Sequence, residues 1–152
     1  MRLTNFSDYA LRMLMYAASA GDRLITIEEV ARTFKVSKTH LNKVANTLTR
    51  GGYLKAVRGR SGGLALGRSP ETIRIGDVVR LTEPDFALVE CFGTGNQCVL
   101  TGRCKLSGMF GDAMASFQNT LDRYTLADVA LMPQDFVGGL PASEASAYDK
   151  HG

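Results

Sequence analysis

Three cysteines stand close together, Cys91, Cys98 and Cys104, and no other occurs in the 152-residue chain. An odd number argues against a disulfide framework. The spacing, C-x6-C-x5-C, is not the doubled C-x2-C of a zinc ribbon. Gly93, Gly95 and Gly102 lie among them, so the segment reads as a pliant loop. Three thiolates on such a loop can wrap an object larger than one ion. An iron–sulfur cluster suits them; a zinc ion and reactive or incidental thiols stay open as readings. The only histidines, His40 and His151, are remote in sequence from the cysteines. A fourth ligand must then be a carboxylate, a small molecule or a group from another subunit.

A second set of residues suits a polyanion. Residues 1–70 hold twelve Lys and Arg against four acids, a balance of +8, whereas residues 71–152 hold six against eleven, a balance of −5. A basic half joined to an acidic half points to a nucleic-acid-binding module beside something else. Ser37, Lys38, Thr39, His40 and Asn42 carry donors and acceptors that can reach base edges, and Lys43 suits a phosphate. Arg58-Gly59-Arg60 places two guanidinium groups on a bendable tip suited to a narrow minor groove or its flanking phosphates. The Gly-rich run that follows is no nucleotide-phosphate loop: it precedes a strand and lacks the Gly-Lys-Ser/Thr element.

These residues need elements to position them. Phe6, Tyr9, Ala10, Met13, Leu14 and Ala17 recur at helical spacing over 6–20, with Gly21 as the stop. Thr26-Ile27-Glu28-Glu29 is a capping box, followed by Ile27, Val30, Ala31 and Phe34 on one helix face. Lys35-Val36 turns the chain. Ser37 caps a third helix whose apolar face is Leu41, Val44, Ala45 and Leu48, closed by Gly51-Gly52. Two short helices across a tight turn predict a helix-turn-helix, with the residues 37–43 at the reading end. Strands at 53–57 and 64–66, joined across 58–63, predict a wing.

Pro70 marks a boundary, and 75–81 reads as a short helix stopped before Pro84. Residues 85–104 form the cysteine loop. Leu106, Met109, Phe110, Ala113, Met114, Phe117 and Leu121 predict a long amphipathic helix over about 104–123, weakened by Gly108 and Gly111. Thr125 to Asp128 caps a short turn. The expected domains are 1–70, the winged helix-turn-helix; 71–132, the cysteine loop and long helix; and 133–152, a tail without periodicity that is expected to be disordered. The fold class is mainly α with a small β-wing.

Composition is that of a globular protein, 45% hydrophobic and 22% charged. No run approaches the roughly 18 apolar residues of a membrane span. The start, MRLTNFSDYALRM, lacks an apolar core and cleavage site of a signal peptide, which predicts a cytoplasmic protein. No nucleophile–base–orienter set is present, so an enzyme is not expected.

The chain resembles the family of bacterial winged-helix iron–sulfur transcriptional regulators. The resemblance rests on MRLTNFSDYALRML, SKTHLNKVANTLTRGGYLKAVRGRSGGLALG, IRIGDVVRLTE, C-x6-C-x5-C and FQNTLDRYTLADV, and covers about residues 1–130. Thr4-x3-Asp8-Tyr-Ala-Leu-Arg12, AVRGRSGG and RYTLADV are most similar to its nitric-oxide-sensing branch. Phe86-Ala-Leu-Val-Glu90-Cys91-Phe92 is somewhat similar to an iron-responsive branch. The resemblance implies a repressor that forms a homodimer through the long helix and binds a palindromic DNA operator. It implies a 4Fe–4S cluster, with 2Fe–2S as the alternative, held by Cys91, Cys98, Cys104 and Asp8 of the other subunit. Arg12, one turn beyond Asp8, has Asp8 and Glu90 as candidate partners. Nitric oxide is the implied signal; iron or cluster status is the alternative, and a cluster-free regulator binding a metabolite or protein is the rival.

Overall fold

The computed structural model describes residues 1–137. Helix α1 (Asn5–Ser19) starts at Thr4, whose hydroxyl accepts the Ser7 N–H at 3.3 Å. Helix α2 (Ile27–Phe34) starts from the full capping box: Thr26 takes the Glu29 N–H, and the Glu29 carboxylate takes the Thr26 N–H. Helix α3 (Lys38–Arg50) follows a turn in which Lys35 is left-handed at φ 55°. A non-glycine residue there costs backbone energy, which the packed α2–α3 pair outweighs.

Strands β1 (Leu54–Val57) and β2 (Gly63–Leu66) pair antiparallel, with Leu54 opposite Leu66 and Val57 opposite Gly63. The hairpin tip takes a φ of +119° at Gly59, which a side chain disfavours. Sequence periodicity did not show that the wing has a third rung. Ile25, in the α1–α2 connection, exchanges two backbone hydrogen bonds with Leu64 at 2.9 and 2.7 Å. The wing is therefore bonded to the helical body on its far edge as well as through β1.

After a 3-10 turn at Pro70–Thr72, helix α4 (Ile75–Thr82) packs against α1, and the loop from 83 leads through a 3-10 turn at Glu90–Phe92 to helix α5 (Lys105–Asp122). The far end of α5 comes back to the N-terminal half. Ile75 N–H donates to Tyr124 O at 2.9 Å, and Leu126 N–H to Ile73 O at 2.8 Å. Arg80 joins α4 to α5 through Asp122 at 2.6 Å and also holds Asp77 at 2.7 Å. Those carboxylates, Asp122 first, push its guanidinium pKa above the ordinary value. Gly76 lacks the Cβ that would collide with Asp122 at this crossing.

The core lies among α1, α2, α3 and the wing base. Met13, Leu14, Ile25, Leu41, Leu48, Leu54, Ile73, Val78 and Leu126 are fully or nearly fully buried in it. These are the apolar stripes expected from helical spacing, now facing one another. The disorder expected from Pro133 onward does not extend to its first residues. Pro133–Phe136 forms a 3-10 turn, and Phe136 meets Tyr16 and Phe34 edge-on, at centroid distances of 5.3 and 6.0 Å. One aromatic residue filling a gap between α1 and α2 orders a segment without periodicity. The rest of that tail, 138–152, lies outside the described residues.

The first turn of α1 is clasped to the end of α4. Glu83 accepts the Thr4 N–H at 2.8 Å and the Thr4 hydroxyl at 2.9 Å, and the buried Ser7 and Thr82 hydroxyls meet at 2.7 Å. Partial burial works to raise the Glu83 pKa, but the hydrogen bonds from Ser7 and Thr4 outweigh it and hold the carboxyl below its ordinary value. A depressed folded-state pKa stabilises the protein above the unfolded value and ceases to do so as pH falls through the folded value. Glu83→Ala is expected to lower Tm at neutral pH by about 2–4 °C, the shift that about 1 kcal/mol produces in a chain this size. The gap from the natural chain should close on acidification below about pH 4. Thermal unfolding followed against pH checks both.

Candidate nucleic-acid interface and sulfur site

Helix α3 buries Leu41, Val44, Ala45 and Leu48 against the body. That leaves Lys38, Thr39, His40, Asn42 and Lys43 exposed on its other side. Arg58, Gly59 and Arg60 are exposed at the wing tip. All nine residues singled out for DNA are thus on the surface with Ser37, the ninth, at the helix start. Their roles differ. Ser37 Oγ accepts the His40 N–H at 3.2 Å, so its polar atom is already used as an N-cap. Lys38 Nζ pairs with Glu28 at 2.7 Å. The hydrogen bond and charge of Lys38 hold the Glu28 carboxyl below its ordinary pKa. Both partners are exposed, and such a pair yields easily to a phosphate. The His40 ring lies 6.3 Å from the Tyr9 ring of α1.

One residue that positions this surface was not evident from sequence. Arg68, just beyond β2, lays its guanidinium 4.3 Å from the centre of the Tyr53 ring and donates to Gly51 O at 2.9 Å. It thereby ties the end of α3 to the base of the wing and places a cation at the negative end of that helix. Only the position of Arg68 immediately after the second strand hinted at it.

Cys91, Cys98 and Cys104 are half-buried free thiols and line a single cavity of about 230 Å³, together with Phe92, Thr101, Gly102 and Ser107. The chain brings the three together from the Glu90–Phe92 turn, the loop and the residue that caps α5. Among the described residues, no group of three or more His, Cys, Asp or Glu is placed to hold a single metal ion. Asp8 does not line this cavity. It pairs with Arg12 of the next turn of α1, at 2.7 Å. Of the two partners expected for Arg12 the structure chooses Asp8; Glu90 instead accepts the Gln97 N–H at 2.9 Å. Arg12 also sits about 6 Å from the rings of Tyr9 and Phe34.

The cysteine loop is held by polar side chains that sequence reasoning passed over: Glu90, Asn96, Thr101 and Ser107 all bond to its backbone or to one another. The signal available was Asn96 two residues before Cys98, a spacing at which an Asn side chain closes a turn. A larger cavity, of about 430 Å³, lies between residues 1–4, residues 83–88 and Met114 and Phe117, and holds none of the expected site residues.

With this geometry in view, comparison with known proteins is informative. Residues 3–131 match the family model for Rrf2, described as an iron-dependent transcriptional regulator. The chain belongs to the Rrf2 family. This Rrf2 chain is 44% identical over 139 residues to the HTH-type transcriptional regulator NsrR of Bacillus licheniformis, covering 90% of the chain and 96% of that protein. It is 42% identical over 146 residues to NsrR of Bacillus subtilis, covering 95% and 100%. Among solved structures it is similar to CymR, the global cysteine regulator of B. subtilis, with a TM-score of 0.72 and 25% identity over 86% of this chain and 96% of that one. IscR of T. potens matches with a TM-score of 0.67 and 23% identity, over 85% of each chain, which is a likeness of fold. The chain is therefore a transcriptional regulator with a winged-helix DNA-binding fold, mainly helical with a two-stranded wing, and its relatives are regulators, not enzymes. Among the described residues no helix is long and apolar enough to cross a membrane.

Ser37 separates stability from recognition. Ser37→Ala is expected to destabilise the chain by about 1 kcal/mol through the lost cap. Thr39→Ala, exposed in the first turn of α3, is expected to leave stability within about 0.5 kcal/mol. Urea unfolding of the two variants checks the contrast.

Proposed function

We propose that this Rrf2 regulator is a homodimeric repressor that holds an iron–sulfur cluster and releases a palindromic operator in response to nitric oxide. The observation that carries the reading is the convergence of Cys91, Cys98 and Cys104 on one cavity in a chain 42–44% identical to regulators named NsrR. The cluster, 4Fe–4S ahead of 2Fe–2S, would be held by these three thiolates and by Asp8 of the second subunit. When bound it supplies iron that reacts with nitric oxide.

The chain's own residues supply the rest. Asp8 has two alternative partners, the sulfur site of the neighbouring subunit and Arg12 of its own helix. The pairing with Arg12, at 2.7 Å, is the one seen within the single chain. The next residue, Tyr9, faces His40 on α3, so a shift of α1 reaches the reading helix through one ring contact. A difference in DNA affinity between two such states is typically worth 1–3 kcal/mol, about 5–150-fold. Ser37 to Lys43 would read a major groove, one helix per half-site, with Arg58 and Arg60 at the flanking minor groove or phosphates. Dimerisation is supported by α5, which has no buried residue and leaves Leu106 and Met109 55% and 65% exposed beside Phe110. A stripe of that kind on a long helix suits a second copy of itself. Residues 1–70 are the reading domain and 71–132 the sensing and pairing domain in this scheme.

The family description as iron-dependent favours one second reading, a response to iron supply through the same cysteines. Anaerobic native mass measurement of the purified dimer, with operator binding titrated against nitric oxide and against an iron chelator, decides between them. Equal operator affinity before and after nitric oxide would refute the first.

Two substitutions separate the two ends of the molecule. Cys98→Ala is expected to abolish visible absorbance of the reconstituted protein and leave a folded dimer, checked by iron and sulfide analysis. Arg60→Ala is expected to weaken operator binding and to lower the slope of log affinity against log salt by about 0.9, the loss of one phosphate contact. An unchanged slope would count against contact by the wing.

A further inference from the structure

The hydrogen bonds around the cysteine loop converge on one side chain. Asn96 Oδ1 accepts the Cys98 backbone N–H at 2.9 Å, and its Nδ2 donates to Thr101 Oγ1 at 2.7 Å. The Thr101 hydroxyl in turn donates to the Cys98 carbonyl at 2.7 Å. Both polar groups of Cys98 are thereby fixed, one by Asn96 and one by the residue Asn96 holds. Next to this ring Glu90 accepts the Gln97 N–H at 2.9 Å, joining the neighbour of Cys91 to the neighbour of Cys98. Ser107 Oγ donates to the Cys104 carbonyl at 2.8 Å. Thr101 and Ser107 share the cavity wall with the three thiols.

This frame is polar and lies on the surface, and Val99, inside it, is 94% exposed. Cys91, Cys98 and Cys104 are part-buried and stand outside the buried apolar cluster among the described residues. A loop with several glycines, its cysteines outside that cluster, would sample many conformations. The frame is what selects the one in which three sulfurs border a common space.

Resting on the reading of the three cysteines as ligands, we propose that Asn96 is the positioning residue of the sulfur site, acting with Thr101 to hold Cys98 toward the cavity that it shares with Cys91 and Cys104. Asn96 does not line that cavity and acts through Cys98. Partners that orient metal ligands typically account for 10–100-fold in retention of the bound group.

The test uses the full chain, reconstituted anaerobically with ferrous iron and sulfide. Cluster loss to an iron chelator is followed by visible absorbance and visible circular dichroism, and thermal unfolding of the cofactor-free chain is measured in parallel. Asn96→Ala is expected to lose its cluster at least about tenfold faster and to change the visible dichroism, with unfolding of the cofactor-free chain unaltered. Asn96→Asp, which still accepts the Cys98 N–H but cannot donate to the Thr101 hydroxyl, is expected to restore part of the retention. Thr101→Val should resemble Asn96→Ala, and the double variant should be no worse than either single one, because both break the same frame. Retention unchanged in Asn96→Ala, in a chain whose Cys98→Ala variant takes up no cluster, overturns the proposal and leaves the ligand reading standing. A natural chain that takes up no iron and sulfide overturns both. A fall in the unfolding temperature of cofactor-free Asn96→Ala that accompanies faster loss, without rescue by Asn96→Asp, marks a purely structural residue and also overturns it.

Discussion

The burial of one face of α1 is the constraint on which the rest depends. Ala10, Met13, Leu14 and Ala17 are sealed in the core, and through them the helix packs on α3, α4, β2 and the final 3-10 turn at once. A helix gripped on so many sides moves as a body or not at all, because close-packed interiors transmit displacement more readily than they absorb it. Its other side carries Asp8 and Arg12, paired with each other, and Tyr9, whose ring lies 6.3 Å from that of His40 on α3.

Different forces hold the two halves. The N-terminal half is built on apolar burial and helix caps at Thr4, Thr26 and Ser37, and its stability resides there. The cysteines' stretch of the loop is held by hydrogen bonds from Glu90, Asn96, Thr101 and Ser107. Between them run a few polar ties: Glu83 with Thr4, Ser7 with Thr82, and Arg80 with Asp122. Exposed ion pairs such as Arg80–Asp122 stabilise weakly, so these ties orient the elements more than they strengthen the fold.

The wing also depends on more than its own two strands. A lone hairpin is marginal in water, and β1–β2 is supported by the bridge between Ile25 and Leu64 on one side and by Arg68 stacked on Tyr53 at the base. Arg58 and Arg60 are carried at the exposed tip of the hairpin so supported. Recognition by such a module combines a rigid reading helix with mobile cations.

Much of the architecture was determined by local pattern. Apolar residues three and four apart, a hydroxyl three residues before a carboxylate, and glycines at a hairpin tip each act through neighbours in the chain, so α1 to α3, the wing and α5 were legible within a residue or two. The choice of Cys91, Cys98 and Cys104 was legible too, because no other cysteine is available. What only the tertiary structure decided lies in contacts between residues far apart: Ile25 joining the wing, Glu83 clasping Thr4, Phe136 ordering a tail segment without periodicity, and Arg68 finding Tyr53. No spacing rule encodes these, since each depends on which faces meet after the helices have packed. The arrangement of the thiols around one cavity belongs to the same class, since the spacing of the cysteines does not fix how the loop folds.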